Sequence, residues 1–225
     1  MTIKLLHHTP LFVCSTAIRK CWASEDKSDS YYKQEWNRLL GCYDDGEYVC
    51  GDKDKELIER IGNQNKHKST LEHLVYTFDI NGISRACLQE LARHRMASYS
   101  VKSTRYTLKE LKDEKEFDCE LTADIERASK YIVIIGNSKI DKYTVSSLNY
   151  IRDCLIHSND ITKYMLPEAY KTSLVMTINA RSLQNFLALR TSKHALWEIR
   201  DLANEMYNKL PEDHKYLFTD FISKE

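Results

Sequence analysis

The pattern of apolar and polar positions along the chain predicts a helix-rich protein with a few short strands. Alternation predicts strands over residues 75–80 and 173–178, and a further short strand is predicted over 2–6. The pair Asn81-Gly82 is typical of a turn and is expected to end the strand over residues 75–80. Helices are predicted over residues 10–22, 54–61, 83–93, 122–135, 140–156, 181–191, 195–210 and 212–222. Because long helical segments separate the strands, an α+β fold within one domain over residues 1–225 is expected.

Residues 24–53 depart from this pattern. They are polar and contain the clusters Ser-Asp-Ser, Asp-Asp-Gly and Cys-Gly-Asp, which are typical of a loop. Trp36, Leu39, Leu40 and Tyr43 lie at helical spacing and predict a short helix inside it. A loop of this length in a compact domain is unusual and is often functional or mobile, so we expect a mobile segment.

Composition narrows the class of protein. Lys plus Arg and Asp plus Glu are both 33, so the net charge of zero gives no support to a nucleic-acid or membrane protein. The seven cysteines form no Cys-x-x-Cys pair, which favours reduced thiols in a cytoplasmic protein. The longest aliphatic run, residues 131–135, is too short to span a bilayer, and the N-terminus lacks the apolar stretch of a signal peptide.

One stretch concentrates positive charge. Arg93-His94-Arg95, seven residues and Ser103-Thr104-Arg105 together hold four fixed cations, one histidine, four serine or threonine hydroxyls and no acid. A predicted amphipathic helix precedes it. Guanidinium groups pair bidentately with phosphate oxygens and hydroxyls add donors, so the stretch predicts a site for a phosphate-bearing ligand.

The same residues match a family signature. Arg-His-Arg, any seven, Ser, any one, Arg resembles the pattern of the flavin-dependent thymidylate synthases at every fixed position. Residues 69–73 (Ser-Thr-Leu-Glu-His) and 179–190 (Asn-Ala-Arg-Ser-Leu-Gln-Asn-Phe-Leu-Ala-Leu-Arg) are similar to its upstream and downstream flavin segments. The resemblance covers most of the chain and implies a small antiparallel sheet packed by helices. Compared with the family, residues 24–53 resemble an inserted segment.

The resemblance implies an activity and its co-substrates. dUMP would be methylated to dTMP with methylenetetrahydrofolate as carbon donor and FAD, reduced by NADPH, as hydride source. A homotetramer with shared active sites is also expected. No metal is expected, because His67 and His73 have no further ligands at binding spacing.

The family's flavin contacts fall on identifiable positions. His67 occupies the position of the histidine beside the flavin ring, and His73 is expected to be structural. The expected cofactor contacts are Ser69, Glu72, Arg93, His94, Arg95, Val101, Asn179, Ala180, Arg181, Asn185 and His194. The alternative for Asn179 and Arg181 is a helix N-cap followed by a solvated arginine. Leu183, Phe186 and Leu187 are expected to form the buried stripe of this helix, and Trp197 is expected in the core.

The resemblance also implies a set of nucleotide contacts. They are Glu90, Arg93, Val101, Lys102, Ser103, Thr104, Arg105, Lys163 and Arg190, with Arg190 set against the uracil ring. Glu90 and Arg93 lie three apart on one helix face, so a surface ion pair is the alternative for them. Ser103 lacks a neighbouring base, so hydride transfer without a covalent enzyme nucleophile is expected.

Three positions depart from the commonest family pattern. Ser100-Val101 replaces Asn-Glu, which removes a glutamate side chain while leaving backbone groups in place. Lys163 replaces arginine and keeps the charge without the fork.

A nucleic-acid-binding module is the rival hypothesis. It would use the basic helix end, with Tyr99 and Tyr106 stacking on bases. Zero net charge and the narrow extent of the basic run disfavour it.

Overall fold

The computed structural model describes residues 1–37, 42–43, 45–156 and 158–223. Its helices are α1 (Leu11–Cys21), α2 (Asp52–Ile58), α3 (Arg85–Leu91), α4 (Thr104–Thr107), α5 (Thr122–Ala128), α6 (Ser138–Cys154), α7 (Asn159–Thr162), α8 (Ala180–Arg190) and α9 (Trp197–Asn208). A π-helix over Glu59–Gln64 continues α2. Single 3-10 segments cover Glu25–Lys27, Lys68–His73, Leu108–Leu111, Lys163–Met165, Glu212–Leu217 and Thr219–Phe221, so the helix predicted at 212–222 is of 3-10 type.

A small antiparallel sheet accompanies these helices. Its strands are β1 (Thr2–His8), β6 (Val75–Ser84), β7 (Ala97–Val101) and β8 (Lys171–Asn179), in the order β1-β6-β8-β7. Two short antiparallel pairs join β2 (Tyr31–Lys33) to β5 (Glu47–Val49) and β3 (Trp36–Asn37) to β4 (Cys42–Tyr43). The predicted α+β fold is therefore confirmed.

The predicted turn at Asn81-Gly82 is wrong. β6 continues through both residues to Ser84, with Gly82 at φ +78°, a conformation that costs glycine little. Ile83 is buried as part of this strand. α3 consequently begins at Arg85, where the Ser84 hydroxyl caps it by accepting from the backbone N–H of Cys87 at 3.0 Å.

The chain forms two compact units. Unit 1 contains Met1–Ile3, Asp79–Arg95 and Tyr99–Met176, and unit 2 contains Lys4–Phe78, Met96–Ser98 and Thr177–Glu225. Every strand of the four-stranded sheet contributes residues to both units. A single domain over residues 1–225 stays a prediction.

One helix predicted in unit 1 is shorter than expected. The helix predicted over residues 122–135 ends at Ala128, and Ile132 instead forms an antiparallel bridge with Tyr170. Ile132 is fully buried, so its burial explains the apolar spacing that suggested a longer helix. The predicted break before α6 is confirmed: Gly136 has φ +81°, and the Asn137 side chain caps the helix.

The core of unit 2 combines apolar packing with buried polar side chains. The Tyr76 hydroxyl lies 2.8 Å from Nδ1 of His214, and both residues are buried. Burial, with a contribution from His8, lowers the pKa of His214 to about 4 although Asp213 opposes the shift. Buried Gln184 donates from Nε2 to the carbonyl oxygen of Leu217 at 2.8 Å.

The described part of residues 24–53 contains short strands and is anchored by hydrogen bonds to Asp54. The buried carboxylate of Asp54 accepts from Arg19 Nε and from the hydroxyls of Ser28 and Ser30, each at 2.6 Å. Asp29 accepts from the backbone N–H of Asp54 at 3.0 Å and so satisfies the start of α2.

The short helix predicted inside this segment is wrong where it can be checked. The backbones of Trp36 and Tyr43 pair with each other as strands. Leu39 and Leu40 lie outside the described residues.

Within the described ranges, no helix is long and apolar enough to cross a membrane. Nor do the described residues contain a cluster of His, Cys, Asp or Glu suited to a metal ion. The free thiols among the described side chains are Cys14, Cys21, Cys50, Cys87, Cys119 and Cys154.

Candidate active site

The predicted residues fall into two groups, one in each unit. Unit 1 holds Glu90, Arg93, His94, Arg95, Val101, Lys102, Ser103, Thr104, Arg105 and Lys163. Unit 2 holds His67, Ser69, Glu72, Asn179, Ala180, Arg181, Asn185, Arg190 and His194. Each group is built on its own set of hydrogen bonds.

The Arg93–Arg95 turn of unit 1 is shaped by Tyr99. The Tyr99 hydroxyl lies 2.7 Å from the carbonyl oxygen of His94 and 3.0 Å from that of Leu91. Burial raises the pKa of Tyr99 to about 12, so the hydroxyl remains a donor at neutral pH. Tyr99 therefore holds the chain reversal that follows α3, which leaves it unsuited to base stacking.

Arg93 makes the surface ion pair that was the alternative for it. Its Nη1 lies 3.4 Å from Oε2 of Glu90, and its side chain is 72% exposed. A pair this exposed contributes tenths of a kcal/mol, about 0.5. The guanidinium can therefore leave Glu90 for a phosphate at little cost. Arg95 is exposed as well.

The end of β7 positions the second half of the signature. The Lys102 N–H donates to the carbonyl oxygen of Ser173 at 2.8 Å, which fixes the backbone beside Val101 and Ser103. Ser103 is the N-cap of α4 but makes no side-chain cap bond. No described histidine or carboxylate bonds its hydroxyl, so nothing in the described chain activates it as a nucleophile.

Arg105 is held by a neighbouring acid. Its Nε and Nη2 donate to Oδ1 and Oδ2 of Asp160 at 2.7 and 3.2 Å. Asn159 donates from Nδ2 to the Arg105 carbonyl oxygen at 2.7 Å. Both partners lie on α7, and Lys163 follows that helix directly. The same short helix thus orders Arg105 and places Lys163.

The first part of the unit 2 group surrounds a 3-10 segment. His67 is the exposed N-cap of this segment, and Ser69 is exposed within it. The Glu72 carboxylate accepts from Arg181 Nη1 at 2.7 Å, with side chains 43% and 53% exposed. Two residues predicted to contact the cofactor therefore contact each other.

α8 presents the remaining residues of unit 2. Asn179 is its N-cap and accepts the N–H of Ser182 at 2.9 Å, so the capping alternative describes its side-chain oxygen. The Ala180 N–H donates to the carbonyl oxygen of Leu74 at 2.8 Å. The stripe of Leu183, Phe186 and Leu187 is fully buried as predicted, which leaves Asn185 exposed and Arg190 at the helix end.

Sequence reasoning misplaced one residue and missed several. Trp197 was expected in the core but is 43% exposed at the start of α9. The positioning roles of Tyr99, Asp160 and Asn159 were missed. Ser158-Asn159-Asp160 shortly before Lys163 was a helix-start signal, but its contact with Arg105 depends on the tertiary fold.

Fold and site together define a helix-dominated α+β protein whose exposed arginines and amides suit anionic ligands. A family model described as "Thymidylate synthase complementing protein" matches residues 4–214. The flavin-dependent thymidylate synthase of Campylobacter jejuni is 54% identical over 100% of this chain and 99% of the relative, and that of Wolinella succinogenes is 54% identical over 97% of each.

A solved structure agrees with the sequence relatives. Thymidylate synthase X from Helicobacter pylori, crystallised with FAD and dUMP, superimposes with a TM-score of 0.87 at 46% identity, over 99% of this chain and 100% of that chain. The chain belongs to the thymidylate synthase complementing protein family, the flavin-dependent thymidylate synthases. The predicted family is thereby confirmed.

Proposed function

We propose that the chain methylates dUMP to dTMP, with methylenetetrahydrofolate as carbon donor and FAD, reduced by NADPH, as hydride source. The observation that supports this most strongly is the match over nearly the whole of both chains to a relative crystallised with FAD and dUMP. Every fixed position of the family signature is present between Arg93 and Arg105.

The unit 1 group is proposed to bind dUMP. Arg93, Arg105 and Lys163 supply cations for the phosphate, and Ser103 and Thr104 supply hydroxyl donors. The backbone of Val101 and Lys102 contributes N–H and C=O groups, while Glu90 orients Arg93 through their ion pair. Because Arg93 and Arg105 are exposed and weakly paired, an incoming phosphate can replace their carboxylate partners.

The residues present fit a flavin dinucleotide. Arg181 and Asn185 are exposed on α8, and Ser69 and Glu72 are exposed on the 3-10 segment in the same unit. Asn179 and Ala180 shape the start of α8, and His194 follows its end. His67 is proposed to lie beside the flavin ring, and Arg93, His94, Arg95 and Val101 are further proposed cofactor contacts.

Bound FAD would supply the redox chemistry, and the protein supplies binding, orientation and electrostatics. Arg190 is proposed to face the N3–O4 edge of uracil, where its positive charge stabilises negative charge developing on the ring. Ser103 acts as a nucleotide ligand, and no enzyme nucleophile bonds to dUMP. The unactivated Ser103 hydroxyl supports this route.

Three wider properties belong to the same proposal. Residues 1–225 form one functional domain, the enzyme is a homotetramer with shared active sites, and it works in the cytoplasm. The tetramer is motivated by the repulsion among exposed arginines, which anionic ligands bound between subunits would relieve. Light scattering of the flavin-bound protein tests it, and a monomeric mass with full turnover would exclude it.

The first test is the colour of the purified protein. It should be yellow, with the visible absorbance of oxidised flavin, and dUMP should perturb that absorbance. The rival nucleic-acid module would be colourless and would bind oligonucleotides. The bonded, half-buried Tyr99 removes one of the two stacking rings on which that rival depended.

A further inference from the structure

A cavity of about 330 Å³ in unit 1 has no role in the reaction as described so far. It lies where one end of the sheet meets the segment after α5. Its walls include residues of β1, β6 and β8, the residue after β7, and Lys130 and Tyr131. A volume of this size accommodates part of a cofactor-sized ligand.

The charge of the lining favours an anion. Three lysines, Lys102, Lys130 and Lys171, border the cavity together with one carboxylate, that of Glu110. Lys102 is paired with Glu110 at 3.1 Å, whereas the partner of Lys130 is Glu114, at 3.5 Å and outside the lining. The three lysines and one carboxylate therefore give the lining a net charge of about +2.

Tyr170 adds a hydrogen-bond donor to the lining. It lines the cavity, is 8% exposed as a residue, and its hydroxyl makes no hydrogen bond to a described residue. The hydroxyl oxygen is not among the fully buried polar atoms, so it is accessible to a ligand. Burial, with the nearby Glu110 and Tyr131, raises the pKa of Tyr170 to about 12, so the group offers a proton to an acceptor at neutral pH.

The cavity adjoins the candidate nucleotide site through the chain itself. Lys102 directly precedes Ser103, and its backbone is fixed to Ser173, which also lines the cavity. A ligand group in the cavity would therefore belong to a molecule that approaches dUMP.

We propose that this cavity binds the multiply charged oxyanion portion of a co-substrate, through Lys130, Lys171 and the Tyr170 hydroxyl. The chemistry has two possible sources: the glutamate carboxylates of methylenetetrahydrofolate and the phosphates of NADPH. The inference rests on the proposed function for the source of the ligand. The positive lining and the unpartnered hydroxyl carry it.

Steady-state kinetics with three variants test the proposal. Lys130→Ala removes a 66% exposed lysine whose ion pair contributes little to stability, and Tyr170→Phe removes only the hydroxyl. Lys142→Ala, which deletes an exposed lysine paired with Glu120 away from the cavity, is the matched control. We expect Lys130→Ala to raise the KM for one co-substrate about tenfold and Tyr170→Phe to raise it about threefold to tenfold, with the KM for dUMP unchanged.

Truncated substrates identify the source. If the folate is the ligand, its analogue without glutamate will show the same KM in wild type and in Lys130→Ala. If the phosphates of NADPH are the ligand, replacing it with NADH, which lacks one phosphate, will narrow the difference between these proteins. Both KM values unchanged relative to Lys142→Ala would overturn the proposal.

A binding measurement separates this inference from the proposed function. Calorimetry with citrate and with inorganic pyrophosphate, on protein saturated with dUMP, should show at least one of them binding about fivefold to tenfold more weakly to Lys130→Ala than to Lys142→Ala. Equal binding would contradict the cavity assignment. Absence of both flavin and dUMP binding would instead contradict the proposed function, and calorimetry without dUMP would then still decide the cavity.

Discussion

Two arginine–aspartate pairs in this chain differ in burial and therefore in role. Arg19 and Asp54 are buried, with side chains 8% and 0% exposed, and two serine hydroxyls complete the shell around the carboxylate. Arg105 bonds both carboxylate oxygens of Asp160, whereas Arg19 reaches only Oδ1 of Asp54. The side chains of Arg105 and Asp160 are 57% and 55% exposed, so solvent exposure is the larger difference between the two pairs.

That difference decides what each pair can do. Removing one partner of a buried pair leaves an uncompensated charge and costs about 3–5 kcal/mol, whereas an exposed pair contributes about 0–1 kcal/mol. The Arg19–Asp54 pair therefore anchors residues 24–53 through the serines bonded to Asp54. Arg105–Asp160 and Arg181–Glu72 keep their arginines ordered yet available to a ligand.

The buried pair gives the largest expected effect. Asp54→Ala should lower the free energy of unfolding by about 3–5 kcal/mol, because Arg19 and two serines lose their acceptor. Chemical denaturation measures it. Asp160→Ala is the matched control and should cost about 1 kcal/mol or less. Equal losses of unfolding free energy in the two variants would show that burial does not distinguish the two pairs.

Arg190→Ala should show the reverse profile, a large functional loss with little loss of stability. We expect the fold and most flavin binding to remain and dTMP formation to fall about a hundredfold or more, since one strong transition-state donor is worth about 3 kcal/mol. Turnover and thermal denaturation are measured on the same preparation. Turnover of dUMP like that of wild type would refute the uracil contact.

Ser103→Ala should act on binding alone. Loss of one hydrogen bond to a charged ligand weakens dUMP binding by about 1–3 kcal/mol, with measurable turnover at saturating dUMP. Titration calorimetry gives the affinity. Intact mass after a denaturing quench tests for a covalent intermediate, and a nucleotide adduct at Ser103 together with an inactive variant would overturn the mechanism.

Buried His214 should make the stability of the protein depend on pH. Its folded pKa of about 4 lies below the unfolded value of about 6.5, so the unfolded chain binds more protons between these values. Stability contributed by neutral His214 is present above about pH 6.5 and is lost as pH falls towards 4. The fall should amount to about 1–3 kcal/mol and should flatten in His214→Gln. Denaturation midpoints at a series of pH values measure it, and identical profiles would contradict the burial argument.

Lys163→Arg should have the smallest effect. It restores the commoner family residue at a position outside the core and adds a fork that suits phosphate. We expect stability within about 0.5 kcal/mol of wild type and a KM for dUMP equal or lower. A severalfold rise in that KM would show that the lysine is specifically required here.

The sequence predicted best what depends on local pattern. The strand of residues 173–178, the long helix α6 and the buried stripe of α8 follow from periodicity. Helix 122–135 was overextended because Ile132 is buried through a bridge to Tyr170 rather than on a helix face. Likewise, Asn81-Gly82 is a common turn pair, but the strand passes through it.

Candidate site residues were predictable only as far as the family signature names them. Arg105 could be chosen from its motif, whereas its partner Asp160 lies 55 positions away and is brought close by α7. The hydrogen bonds from Ser28 and Ser30 to Asp54 likewise connect positions that no spacing rule relates. Contacts of this range are set by tertiary packing, so they required the structure.

Removal and return of FAD test the central claim most directly. The purified protein is stripped of flavin, and dTMP formation from dUMP, methylenetetrahydrofolate and NADPH is measured before and after FAD is restored. The account predicts that dTMP formation disappears with the flavin and recovers with it. Formation of dTMP without FAD, or none with FAD bound and all three substrates present, would contradict it.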